Sequence, residues 1–570
     1  MSDRRFALGI DLGTSSARAL IVDCADGAEI AAGVAHYPSG TDGVITDDNE
    51  PNLARQNPAD YARCITRSVR EAIAACGRTP GFSPGAIVGI GVDTTASTPI
   101  PVDAACTPLA TLDEFKAEPA AMAWLWKDHT AHAESAEITA RAAAPGIPYL
   151  SKCGGTYSSE WYWSKILRCE RTSPRVAGAA YAWMEQCDWV TAWLTGSTDA
   201  ARAPRGVCAA GHKAMYHPSW GGLPSGEFLD GLSPGLSRFR DRFAAPALPA
   251  DRRAGGLAAP VAAQLGLPAG VPVAVGAVDA HLGAVGAGIG PGVLVKIMGT
   301  STCDCMVAPM TPDGAGVPDI PGVCGIVPES ILPGMHGIEA GQSAVGDIFH
   351  WFATRLGASG AATPEQAHAR LSEQAERLLP GQSGLLALDW HNGNRCVLVD
   401  PLLTGLIVGE TLATTPAEIY RALIEATAFG ALRIIERIEE YGVAIDQVVN
   451  CGGIAEKSPL VMQIYADVCG RPMTISRSSQ TCALGAAIMG AVVGGAHASV
   501  AGAQRAMTGI KPEIYRPRAD HASVYKRLYT LYRQLHDAFG LAERTSSLGH
   551  VMKTLLQIRQ ESRPRRVLTE

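Results

Sequence analysis

The stretch F-A-L-G-I-D-L-G-T-S-S-A-R-A-L-I-V-D, residues 6–23, decides how the rest of the chain is read. Its two apolar runs, 6–10 and 16–23, have the length and composition of strands, and Asp11 and the turn Gly13-Thr14-Ser15 stand between them. A carboxylate at the end of a buried strand is costly unless it meets a cation, a donor or water. Small hydroxylated residues at a tight turn let backbone N–H groups approach phosphate oxygens, with the Thr and Ser hydroxyls as further donors. The same three residues are also ordinary hairpin chemistry.

The pattern restarts in the second half, where V-L-V-K-I-M-G-T-S-T-C-D-C-M-V, residues 293–307, again reads strand, Gly299-Thr300-Ser301, strand. One such turn per half reads as a pair of phosphate clamps. Between the two lie other signals. Ala25-Asp26-Gly27 is a hairpin turn before a third strand at about 28–36, so the chain opens as an antiparallel meander. Tyr61, Ile65, Val69 and Ile73 recur at helical spacing over 58–76, and the apolar strand 86–93 then ends in another aspartate. Residues 120–250 are rich in tryptophan and read as a specificity insert. A Pro/Gly-rich passage at 260–272 marks a domain boundary at 268/269, and 271–288 gives strand, turn and a small-residue helix, with Asp279 at the turn.

Further on, Thr415 to Glu418 is a capping box opening a helix to about 440. Residues 447–468 give a strand, the pair Gly452-Gly453 and a helix; backbone stripped of side chains there lets a flat ring lie close. Residues 482–491 form a thin helix. Val524, Leu528, Leu531, Leu535 and Phe539 trace one helical face, and the tail 561–570 is expected to fray.

The bulk composition excludes several classes. With 570 residues the chain exceeds one ordinary core, and two domains of roughly 250–300 residues are expected. A net charge of -7 gives no basic footprint for nucleic acid. No signal peptide and no run of about 18 apolar residues is present, so neither export nor a membrane partner is expected, and the expected location is cytoplasmic. The 15 cysteines form no disulfide framework, and Cys303-Asp-Cys305 and His129-Thr-Ala-His132 lack the further ligands of a zinc site. A small-molecule partner remains, and a homodimer is left open.

The ordered set of Asp11-Leu-Gly-Thr14, Asp279 after an apolar strand, Gly299-Thr300-Ser301 and Cys451-Gly-Gly453 followed by Met462-Gln463 resembles the FGGY family of carbohydrate kinases over almost the whole chain. Blocks 124–132, 154–166, 211–215 and 337–349 are similar to its ribulokinase members. The resemblance implies an α/β chain in two domains, 1–268 and 269–570, with the ribonuclease H/actin-like ATPase fold and an active-site cleft between the domains. ATP and Mg²⁺ are the implied cofactors and a ketopentose, L-ribulose first, the implied substrate. Asp279 matches the general base and Asp11 the carboxylate that holds Mg²⁺. Gly13, Thr14, Ser15, Gly299, Thr300 and Ser301 line the phosphates, while Gly452, Gly453 and Lys457 hold the adenosine. Ala96, Lys213 and Glu339, with Asp279, are the implied sugar contacts, and Trp126 and Asp128 are expected to wall the pocket. One departure is Ser458 after Lys457, where ribulokinases commonly have Asn; its hydroxyl is expected to reach the nucleotide instead.

Overall fold

The computed structural model describes residues 4–311, 316–357, 363–541 and 551–562. The opening stretch forms β1 (Phe6–Leu12) and β2 (Ser16–Asp23), an antiparallel hairpin with Leu12 opposite Ala17, and β3 (Glu29–His36) continues the meander. Helix α1 (Pro58–Ala75) starts at Asn57, whose side chain accepts from the Ala59 N–H, and buries Tyr61, Ile65, Val69 and Ala72. Strand β4 (Ile87–Thr94) runs parallel to β1, with Asp11 opposite Asp93. With β5 (Arg253–Gly256) and β6 (Pro272–Ala274) the order is β5-β6-β4-β1-β2-β3, and the short β7 (Ala277–Val278) also pairs with β4. Residues 272–278, past the boundary expected at 268/269, thus belong to the first sheet. The Trp-rich insert contributes α2 (Val207–Ala214), and the chain leaves the sheet through α3 (Asp279–Gly286).

The second sheet repeats the topology. Strands β8 (Val293–Met298) and β9 (Thr302–Pro309) form the hairpin, followed by β10 (Gly325–Pro328) and β11 (Met335–Ala340). Helix α4 (Pro416–Glu440), opened by the Thr415/Glu418 capping box, leads to β12 (Gln447–Cys451), which runs parallel to β8. After it come α5 (Pro459–Cys469), β13 (Met473–Ser476), α6 (Thr481–Val493), β14 (Ile510–Tyr515) and α7 (Ala519–Gly540). The order β11-β9-β8-β12-β13-β14 matches β3-β2-β1-β4-β6-β5 strand for strand, and β10 is an addition beyond β11. In α7, Leu528, Leu531 and Leu535 are buried as predicted, but Phe539 is exposed because the last turn runs past the core. From residue 563 the tail lies outside the described residues.

Side-chain alternation divides β1 between two cores. Phe6, Leu8 and Ile10 pack with α1, whereas Ala7 joins Val295, Val449 and the alanines of α6 in a layer between the sheets. Gly9 and Asp11 share the Ala7 face, and on β4 Gly89, Gly91 and Asp93 do the same. The glycines let α6 lie almost on the sheet: a Cβ at Gly9 would stand 1.9 Å from the Ala483 carbonyl oxygen, and one at Gly91 1.8 Å from that of Ala486. The sequence pattern Gly-x-Asp, present in both strands, therefore seats a helix and then, one step further, presents a carboxylate at that helix's N-terminal end.

Candidate active site

Three neighbouring strands each end in an aspartate. Asp11 lies opposite Asp93 in the β1–β4 register, and Ala277 of β7 lies opposite Asp93, so Asp279 follows two residues along. Asp93 is 0% exposed; its carboxyl lies against that of Asp11, and no donor from elsewhere in the fold reaches either oxygen. Burial, reinforced by the charges of Asp11 and Asp279, pushes it well above the usual carboxylate range. Burial also raises Asp11, against the Arg18 guanidinium 3.6 Å away, and together with the charge of Asp11 it pushes Asp279 up to about 7. Asp279 caps its own helix only weakly, accepting from the Ala280 N–H at 2.6 Å. Burial, reinforced by the three aspartates, pushes the thiol of Cys482, at the start of α6, well above the usual thiol range.

Beside this trio is a second buried cluster. Lys213, in the last turn of α2, donates to both oxygens of Glu339 at 2.8 and 3.1 Å, and Tyr157 fixes that turn by donating to the Lys213 carbonyl at 2.6 Å. His281 Nε2 lies 3.2 Å from Glu339, with its Nδ1 3.0 Å from the Cys208 sulfur; His212 Nδ1 lies 3.5 Å from the same carboxylate. Against burial, Lys213 and then the two imidazoles hold Glu339 well below the carboxylate range. His212, His281 and Glu339 have the ligand types and closeness of a metal site, within 4.8 Å of one another. The ammonium of Lys213, however, already occupies both Glu339 oxygens, so the trio is a charged, hydrogen-bonded wall.

Ala96 sits in the loop after β4, laid beside the end of β1 by the Thr95 N–H donating to the Leu12 carbonyl at 3.1 Å. The loop is held by residues that sequence reasoning missed. Glu185 accepts from the Ser97 hydroxyl and from the Thr98 N–H at 2.9 Å, and Lys165 donates to the carbonyls of Ser97 and Leu125, both at 2.8 Å. Both are buried, and burial pulls Lys165 down to about 7 and raises Glu185. Lys165 lies in the quoted block 154–166, but a lone lysine carries no spacing signal.

The two Gly-Thr-Ser turns are built alike. Gly13 donates to the Ser16 carbonyl at 3.0 Å, and Gly299 to that of Ser301 at 2.9 Å. Their carbonyls point into protein: Gln56 donates to the Thr14 oxygen at 2.7 Å and Tyr37 to that of Ser15, while the N–H groups of Val345 and Asp347 meet the Thr300 oxygen. The N–H groups of Gly13 and Gly299 close the turns, and those of residues 14–15 and 300–301 are left for a ligand. Trp126 is placed at the first turn, its Nε1 donating to the Thr14 hydroxyl at 3.0 Å. Under the second lies an unforeseen buried network in which Lys296 donates to both Asp304 oxygens at 2.8 Å and to Gln342 at 3.2 Å. Gly452 packs behind this turn at φ +91°, where a Cβ would stand 2.5 Å from the Met298 carbonyl oxygen, while Gly453 has open space around it.

Two expectations need correction. Asp128 does not wall a sugar pocket: it is fully buried, paired with Arg55, and accepts from the Ala54 N–H at 2.8 Å and the Thr130 hydroxyl at 2.6 Å, which commits it to the fold. Ser458 is the N-cap of α5, accepting from the Val461 N–H, and this is the role its hydroxyl plays here. Lys457 is exposed at the end of the short helix after Gly452.

Comparison with known proteins matches this geometry to a family. Residues 6–286 match the N-terminal domain and residues 294–493 the C-terminal domain of the FGGY family of carbohydrate kinases. A protein named ribulokinase from Geobacillus thermodenitrificans is 40% identical over 98% of both chains, and one of the same name from Mycolicibacterium smegmatis is 41% identical over 94% of both. The xylulose kinase structure from Rhodospirillum rubrum superposes with a TM-score of 0.76 at 24% identity, covering 94% of this chain and 99% of its own. The Plasmodium falciparum glycerol kinase structure with ADP gives 0.74 at 14% identity, covering 95% and 99%. With both halves matched in order along a repeated sheet topology, this chain belongs to the FGGY family of carbohydrate kinases and has the two-domain ribonuclease H/actin-like ATPase fold.

Proposed function

We propose that the protein is an ATP-dependent ribulokinase that places phosphate on the 5-hydroxyl of L-ribulose, and of D-ribulose as a related ketopentose, in the cytoplasm. The carrying observation is the adjacency of Asp279 to the Lys213–Glu339 wall, and the full-length relatives named ribulokinase support the sugar. Asp279 accepts the proton of the attacking hydroxyl. The new bond forms between that oxygen and the γ-phosphorus, the bond to the bridging oxygen breaks, and ADP leaves. A loose phosphoryl-transfer transition state asks for positioning and charge stabilisation more than for a strong base, so one carboxylate raised to about 7 suffices.

Glu339, Lys213 and the backbone at Ala96 bind and orient the sugar, and the turns 13–15 and 299–301 cradle the phosphates through the N–H groups of residues 14–15 and 300–301. Gly452 and Gly453 leave room for the adenosine ring, with Lys457 at its edge. The residues fit a magnesium ion: Asp11 is a hard oxygen donor at a strand end, and the oxygens of Asp93 beside it receive no donor from elsewhere in the fold. When bound, Mg²⁺ screens the charge of the β- and γ-phosphates. Release of ADP from Mg-ATP over a panel of ketopentoses and polyols tests the reading. L-Ribulose is expected to give the highest kcat/KM, and Asp279→Asn to lower kcat about 10²–10⁴-fold with sugar binding retained. No sugar-stimulated ADP release with L-ribulose would overturn it.

A further inference from the structure

The trio of strand-end aspartates contains one carboxylate that the reaction described above does not use. Asp93 has no base role, since Asp279 is the group beside the sugar wall. It has no structural role of the kind Asp128 plays, because neither of its oxygens meets a donor from elsewhere in the fold, and it is fully buried. A buried carboxylate with no donor is among the most expensive groups a fold can carry, and it persists where a ligand completes it.

The local charge count says what that ligand is. Asp11, Asp93 and Asp279 stand on adjacent strand ends, and among the described residues the guanidinium facing them is Arg18, 3.6 Å from Asp11. The next cations, Lys213 and His281, are engaged by Glu339. Three carboxylates thus face one guanidinium; without a cation the site holds protons in its place, and a divalent cation is the ligand whose charge replaces them. All the donors are hard oxygens, and the Gly-x-Asp alternation of β1 and β4 puts Asp11 and Asp93 on the same face, in register, at the end of α6.

We propose that Asp93 is a second protein carboxylate of the divalent-cation site, sharing with Asp11 the metal that accompanies the nucleotide. This rests on the kinase reading. The aspartate pair binds the hydrated cation from two neighbouring strands, so that the metal is anchored to the first sheet and the phosphates come to it.

The test is Mn²⁺ binding in the presence of ADP, followed by the paramagnetic resonance signal of free Mn²⁺, in the full-length wild type and in Asp93→Asn. The substitution is expected to weaken Mn²⁺ binding at least tenfold, while ADP binding in EDTA changes less than twofold. Without metal, the thermal midpoint of the variant at neutral pH is expected to equal or exceed that of the wild type, since the wild type must keep Asp93 protonated at a pH where the unfolded chain ionises it. Mn²⁺ binding by Asp93→Asn within twofold of wild type overturns the proposal. A wild type that holds no Mn²⁺ with ADP sinks the kinase reading itself. Should Asp93→Asn fail to fold, Asp93→Ser is measured against the same thresholds.

Discussion

Glu339→Gln keeps the shape of a buried side chain and removes one charge. Glu339 is 9% exposed and its partner Lys213 5%, with Nζ 2.8 and 3.1 Å from the two carboxylate oxygens and His281 fully buried on the other side. The amide still offers one acceptor, but the ammonium keeps no counter-charge, and stripping one member from a buried pair costs about 3–5 kcal/mol. Removing both charges in Lys213→Met/Glu339→Gln avoids the orphaned ammonium, so most of that loss is expected to return even though a second residue has changed. Activity is expected to move the other way. The double variant lacks both groups proposed to read sugar hydroxyls, so KM for the sugar is expected to rise roughly 10²-fold or more, while KM for ATP stays within a factor of about two. Urea denaturation gives the stabilities and coupled ADP release gives the two KM values. A double variant no more stable than Glu339→Gln would refute the ion-pair argument, and a parallel rise in KM for ATP would refute the assignment of the pair to the sugar.

Other positions give independent checks. Gly91→Ala puts a Cβ where the Ala486 carbonyl oxygen stands 1.8 Å away, so α6 must lift from the sheet; a loss of about 3 kcal/mol or more is expected in urea denaturation, and a loss under about 1 kcal/mol would contradict the contact. Asp128→Asn leaves Arg55 buried without its counter-charge and is expected to cost about 3–5 kcal/mol with KM for the sugar unchanged; a raised KM at wild-type stability would restore Asp128 to the sugar pocket. Asp279 is pushed up to about 7 from an ordinary value near 3.8, so the fold favours its protonated form. The stability this gives is present below about pH 4 and is lost as pH rises through about 7. In EDTA the thermal midpoint of Asp279→Asn should therefore pull ahead of wild type between pH 4 and 8, and two parallel pH curves would disprove the shift.

Much of this was legible in the sequence, for identifiable reasons. The hairpins, α1, α4 and the double-glycine turn are specified locally, by period-2 and period-3.6 patterns, caps and turn residues. Asp11, Asp279 and both Gly-Thr-Ser turns were visible because each ends an apolar strand. Lys165, Glu185 and Gln342 were not, because each acts through partners tens of residues away, and Lys296 was not, because its partner Asp304 is set opposite it only by the hairpin register; a buried polar side chain leaves no periodic trace. Asp128 misled for the same reason: its partner Arg55 is 73 residues distant. Asp93 was visible as a strand end, but its meaning depends on the strands that lie beside it.

The repeated topology sharpens the division of labour between the sheets. At the place where β1 and β4 put Asp11 opposite Asp93, β8 and β12 put Ile297 opposite Cys451. The Gly-Thr-Ser turn that follows is the same in both, so the backbone edge offered to phosphates is duplicated, whereas the carboxylates are not. A second acidic pair would draw a second cation and repel the nucleotide, while an apolar pair leaves the second sheet to offer shape: the Gly452 turn packed behind Gly299, and open space at Gly453. On the proposed reading, the metal-facing carboxylates therefore belong to the first sheet and the fit of a flat ring to the second. A two-metal site in this fold would need Ile297 and Cys451 to be acidic.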